Sequence, residues 1–141
     1  MSYQRLIREH DELATKASEL EALLGGGARN PAAAAGLLHE LAFLVREHLS
    51  YEDRRVYSRL IELRSRKDLP SSAEFEALCE ALRDDWEAYL VEWDEDCIRA
   101  DWEEFSAATT ALMARLRERV CQETNLIYPL ALKEGLIKLR D

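Results

Sequence analysis

Apolar residues recur every three or four positions along four separate stretches of this chain, the period of helices that each bury one face. Leu6, His10, Leu13, Ala17, Leu20 and Leu24 make the first seam and predict a helix over 2–24. Gly25-Gly26-Gly27 ends it, because glycine tolerates the turn past a helix terminus. Asn30-Pro31 restarts the chain, with asparagine as N-cap and proline at the first helical position. The second helix carries Leu38, Leu41, Val45, His48, Glu52 and Val56 and runs to about Arg66, fading in Lys67-Asp68-Leu69-Pro70. Ser71 with Glu74 forms a capping box ahead of Phe75, Leu78, Leu82, Trp86, Tyr89 and Trp93. Asp101 with Glu104 opens a fourth helix through Trp102, Phe105, Thr109, Leu112, Leu116, Arg119, Glu123, Leu126 and Leu130. No strand-like alternation and no hairpin turn is present. These features predict an all-α fold, an up-down-up-down four-helix bundle forming a single domain over 1–141.

Polar residues interrupt the seams. His48 and Glu52 stand four apart in the second helix, one above the other on its apolar face. An imidazole and a carboxylate buried together are costly unless each finds a partner. A metal ion is one such partner, since His-x-x-x-Glu is a ligand spacing of helix bundles. A salt-bridged, hydrogen-bonded polar core is the other. Counting residues from the helix ends puts His10 level with His48, and Glu52 level with Trp86. The fourth helix matches these levels only if 94–100 continues to climb, which predicts a kinked helical stretch there. A weak internal repeat accompanies the layout. Glu52 and Glu123 are each followed, four and five residues on, by an aliphatic-Tyr pair, Val56-Tyr57 and Ile127-Tyr128.

Composition narrows the function classes. The 141 residues hold 28 acids and 19 bases, a net charge of −9. That balance argues against nucleic acid and against an anionic membrane surface, and leaves room for a protein partner. The first ten residues are polar, without the apolar core of a signal peptide, and no apolar run spans a membrane, so a cytoplasmic protein is expected. Cys79, Cys97 and Cys121 are odd in number and widely spaced, which fits reduced packing cysteines. His39 lies half a turn out of phase with His48 and belongs on the surface. No glycine-rich phosphate loop and no catalytic triad is visible, so an enzyme is not the expected reading.

The constellation resembles the hemerythrin-like HHE cation-binding family across nearly the whole chain. The likeness rests on Arg8-Glu9-His10-Asp11-Glu12-Leu13, on Glu47-His48-Leu49-Ser50-Tyr51-Glu52-Asp53 with Val56-Tyr57, and on Glu123 with Ile127-Tyr128-Pro129. In that family, histidines from helices one and three and a His-x-x-x-Glu pair from each of helices two and four hold two irons. The resemblance therefore implies His10, His48, Glu52 and Glu123 as metal ligands. Two positions depart: Trp86 and Arg119 stand where the family has its other histidines. Tryptophan does not ligate, and a guanidinium stays charged and repels a cation. Arg119 can instead neutralise Glu52 and Glu123 by forked hydrogen bonds, with Trp86 filling the vacated volume.

The end of the chain is also similar in spacing to helix four of regulator-of-sigma-D type bundles, metal-free proteins that bind a sigma factor. It shares Asp101-Trp102-Glu103-Glu104-Phe105, Leu116-Arg117-Glu118-Arg119 and Glu123. Three functions are thus expected in order. The first is a sensing, regulatory or iron-binding bundle with a partly lost di-iron site. The second is a metal-free, anti-sigma-like adaptor acting through a protein partner. The third is a non-haem iron protein handling oxygen or nitric oxide. The cofactor is accordingly iron, mononuclear or di-iron, or none.

Overall fold

The structure is a computed structural model that describes residues 2–52, 56, 58–60, 62 and 72–141, with only the helical backbone described for 50–52 and 72–79. The elements whose bounds lie among the described residues follow in order. They are α1 (Tyr3–Gly25), α2 (Pro31–Glu52), α3 (Ser72–Glu92), α4 (Glu95–Ala100), α5 (Trp102–Gln122), the π-turn Glu123–Ile127 and α6 (Tyr128–Lys133). There is no strand among the described residues, only an isolated bridge between Ser2 and Lys138. The fold is an all-α helical bundle.

The helix ends follow from local chemistry. The Ser2 hydroxyl accepts from the Arg5 N–H at 3.1 Å and caps α1. The Asn30 carboxamide oxygen accepts from Ala33 N–H at 3.1 Å ahead of Pro31, as the Asn-Pro pair predicts. Asp101 accepts from Glu104 N–H at 3.2 Å and opens α5. The expected kinked stretch is α4: the chain breaks after Glu92, Asp94 caps the new start through Cys97 N–H at 2.8 Å, and Ile98 turns inward, fully buried. The Ser71 capping box, the second helix beyond Glu52 and the repeat partner Tyr57 lie outside the described residues.

α1 packs on α2 and α5, α2 on α4, and α3 and α4 on α5. Among the described residues two apolar clusters form the interior. The larger joins Leu13, Leu20, Leu41, Val45, Trp86, Phe105 and Met113, among others. The smaller joins Leu6, Val56, Leu60, Ile127, Tyr128, Ala131 and Ile137. At their boundary lie the buried polar side chains His10, His48, Arg119 and Glu123. Trp86 belongs to the larger cluster, stacked on Tyr89 with ring centroids 5.7 Å apart. Tyr89 in turn shares a 2.7 Å hydrogen bond with the seam residue Thr109.

Two expectations need correction. Cys97 and Cys121 are free and exposed, so they are not packing residues; the side chain of Cys79 lies outside the described residues. A 3.6-residue period puts Leu126 in the seam, yet it is 67% exposed, and Ile127 and Tyr128 are buried in its place. The π-turn is the cause, because it widens the helix and shifts the frame by about one residue.

After α6 the chain folds back along the start of α1, where Tyr3 N–H donates to the Lys138 carbonyl at 2.7 Å. Gly135, at φ 74°, makes that reversal. Gly135 N–H reaches Leu132 O and Leu136 N–H reaches Ala131 O, the paired bonds of a Schellman cap. A Cβ at Gly135 would meet nothing within 4 Å, so any penalty there comes from the backbone alone. Gly135→Ala should therefore lower stability by about 1 kcal/mol in urea unfolding without changing the fold. An unchanged midpoint would show that the left-handed residue is not required.

Candidate metal centre

His10 on α1, His48 on α2 and Glu123 at the head of the π-turn project into one place. His10 Nε2 lies 3.1 Å from His48 Nε2 and 3.0 Å from Glu123 Oε1, and His48 Nε2 lies 3.4 Å from the same oxygen. All three residues are buried, Glu123 to 1% exposure. The fourth residue of the expected set, Glu52, ends α2, but its side chain lies outside the described residues.

The outer ring nitrogens explain the aim of the inner ones. His48 Nδ1 is 2.8 Å from Glu9 Oε2. An ionised carboxylate only accepts, so Nδ1 carries the proton and Nε2 presents a lone pair inward. Burial alone would raise the Glu9 carboxyl. The hydrogen bond from His48, with help from Arg5, outweighs it and holds Glu9 below its ordinary value, which keeps it an acceptor. His10 Nδ1 lies 3.2 Å from Thr124 Oγ1. A hydroxyl both donates and accepts, so Thr124 supports either tautomer of His10. With Nδ1–H donating to Thr124, two imidazole lone pairs and a carboxylate oxygen face one point.

That donor set fits a transition-metal ion. Atoms bound to one ion at about 2.0–2.2 Å, with angles of 90–109°, stand about 2.8–3.6 Å apart. The three observed separations fall inside this range. Two imidazoles with one carboxylate suit iron, manganese or zinc, and such an ion supplies Lewis-acid or redox chemistry when bound.

Arg119 sits one turn before Glu123 and is buried to 8% exposure. Its Nε lies 3.7 Å from Glu123 Oε2, an ion pair longer than the hydrogen bond expected from the sequence. The carboxylate of Glu123 is thus divided: Oε1 faces the imidazoles and Oε2 faces the guanidinium.

Three neighbours were not assigned to the site by sequence reasoning, although Tyr128 stood in the aliphatic-Tyr pair after Glu123. Glu9 precedes His10 and is off the seam. Thr124 and Tyr128 are placed by the π-turn. Tyr128 N–H donates to Glu123 O, five residues back. At about 4.4 residues per turn, Tyr128 falls roughly 50° from Glu123 around the axis, whereas an α-helix would put it roughly 140° away. Its hydroxyl consequently stands 2.8 Å from His10 Nε2 and 3.4 Å from His48 Nε2. Pro129 is compatible with the widening, since it has no N–H for Asn125 O. A proline inside a predicted helix is the signal that could have found Tyr128.

A helical bundle with a buried histidine–carboxylate cluster is the class that fold and site define. The family model of the hemerythrin HHE cation-binding domain matches residues 1–131, and the chain belongs to that family. No curated protein and no solved structure matches the chain.

Glu9 orients His48 from outside the cluster, so Glu9→Ala should weaken metal binding by about 10–100-fold, as loss of an outer hydrogen-bond partner does. Titration calorimetry with a divalent first-row ion measures this. Equal affinity in the variant would mean that the Glu9 contact does not set the direction of the imidazole.

Proposed function

We propose that this domain binds one transition-metal ion, iron in the first instance, through His10, His48 and Glu123, and that it acts as a metal-linked sensing or regulatory bundle. The observation that carries the reading is the division of the Glu123 carboxylate. One oxygen joins two inward-facing imidazole nitrogens, while the other is taken by Arg119. A carboxylate that bridges two ions needs both oxygens. With a guanidinium at the second, the arrangement supports a mononuclear centre rather than the family's di-iron centre. The ion would tie α1, α2 and the π-turn together, so its presence would be read as a tightening of the bundle.

The test is metal content and stability together. Purified without chelator or reconstituted with ferrous iron in the absence of oxygen, the protein should hold one ion per chain. At a thousandfold excess over Kd, the ion should stabilise the fold by about 4 kcal/mol, seen as a higher Tm. Glu123→Gln should abolish both effects. Two ions per chain, or uptake undiminished in that variant, would contradict the mononuclear reading.

Arg119 also supports a second reading, a metal-free adaptor. Its charge already offsets Glu123, and the cluster can satisfy itself by internal hydrogen bonds with no ion. Arg119→Leu separates the two. Under either reading the metal-free protein should lose about 3 kcal/mol, because a buried carboxylate loses its cation. Under the metal reading the variant should also bind a divalent ion more tightly than the natural chain and recover stability on adding it. A variant that is destabilised and stays indifferent to metal favours the adaptor.

A further inference from the structure

Tyr128 is a residue whose position the cluster of two histidines and one glutamate does not by itself require. Its hydroxyl lies 2.8 Å from His10 Nε2 and 3.4 Å from His48 Nε2. Both separations fall within the about 2.8–3.6 Å expected between donor atoms that share one ion. The side chain is fully buried. Its ring stacks on His10 with centroids 5.1 Å apart and planes 26° apart, and meets the ring of Tyr3 edge-on at 6.3 Å. The hydroxyl is thus held at the cluster by packing on two sides. The backbone that delivers it is a π-turn, a conformation that recurs at functional sites. A regular helix through 123–131 would carry the ring away from Glu123, so the irregular backbone and the placement of the oxygen go together.

We infer that Tyr128 is the fourth protein donor of the centre, binding as a phenolate and selecting for ferric iron. The inference rests on the mononuclear reading above. Phenolate is a hard anionic oxygen ligand of the kind that holds ferric iron in other proteins. In the metal-free protein the Tyr128 O–H donates to an imidazole lone pair. On metal binding that hydrogen bond breaks, the O–H proton passes to the buffer, and the oxygen lone pair forms the bond to the ion. No electron is transferred. Two neutral imidazoles, one carboxylate and one phenolate give the donor set two negative charges, one of them next to Arg119, so the preference for ferric over ferrous iron comes from the hard phenolate oxygen and not from the charge count.

The experiment is the visible spectrum of the full chain loaded with ferric iron. A phenolate-to-iron charge-transfer band is expected, and Tyr128→Phe should abolish it while the variant still takes up one iron per chain. Phenylalanine keeps the ring and its packing, so circular dichroism should be unchanged. Should that variant fail to fold, fluorotyrosine at position 128 replaces it, and the band should then shift in energy. A natural chain that holds one ferric ion with no such band overturns the inference and leaves the mononuclear site intact. A band that persists in the folded Tyr128→Phe variant, or stays unshifted with fluorotyrosine, assigns it to another tyrosine and also overturns the inference. A chain that takes up no iron or other first-row metal overturns the site reading and the Tyr128 assignment together.

Discussion

Two imidazoles facing each other with their Nε2 atoms 3.1 Å apart need something positive between or beside them. Lone pair against lone pair at that distance would be repulsive in a layer this buried. The rest of the structure is arranged around that demand. Glu9 fixes the tautomer of His48 from outside, Thr124 accommodates His10, Glu123 supplies the negative charge, and Tyr128 offers a hydroxyl. A shared proton, a donated O–H or a metal ion can each meet the demand. A metal alone uses all the inward-facing donors at once.

The polar layer also divides the apolar core. Leu6 belongs to one cluster and Leu13 to the other, with His10 between them on the same helix face. Leu116 and Ile127 flank Glu123 in the same way. Burial of the two clusters holds α1, α2 and α5 in place and so fixes the donor separations, which is what preorganises a metal site. Arg119 lies at the same boundary. Its position against Glu123 Oε2 leaves the other carboxylate oxygen to face the imidazoles.

The bundle was legible because its seams are regular and its helix starts carry caps. Asn30 and Asp101 each accept the backbone hydrogen bond that their chemistry predicts, and the climb through α4, which Asp94 turns out to cap, followed from matching levels. His10, His48 and Glu123 stood out as polar residues within apolar stripes, and the structure brings them together. The sequence marks Tyr128 only as half of the aliphatic-Tyr pair after Glu123, and places neither it nor Thr124 at the cluster, because a 3.6-residue period assumes an unbroken α-helix. The π-turn before Pro129 breaks that assumption, exposing Leu126 and turning Tyr128 inward. Glu9 escaped notice for a different reason. It acts from beside the seam, through a histidine on another helix, and no spacing within α1 records that contact.

X-ray absorption at the iron edge of the loaded protein tests the central claim, one ion held by the His10–His48–Glu123 layer. The account predicts first-shell nitrogen and oxygen scatterers, multiple-scattering signals from two imidazole rings, and no second metal. A metal–metal vector at about 3.5 Å, or a shell without imidazole signals, would contradict it.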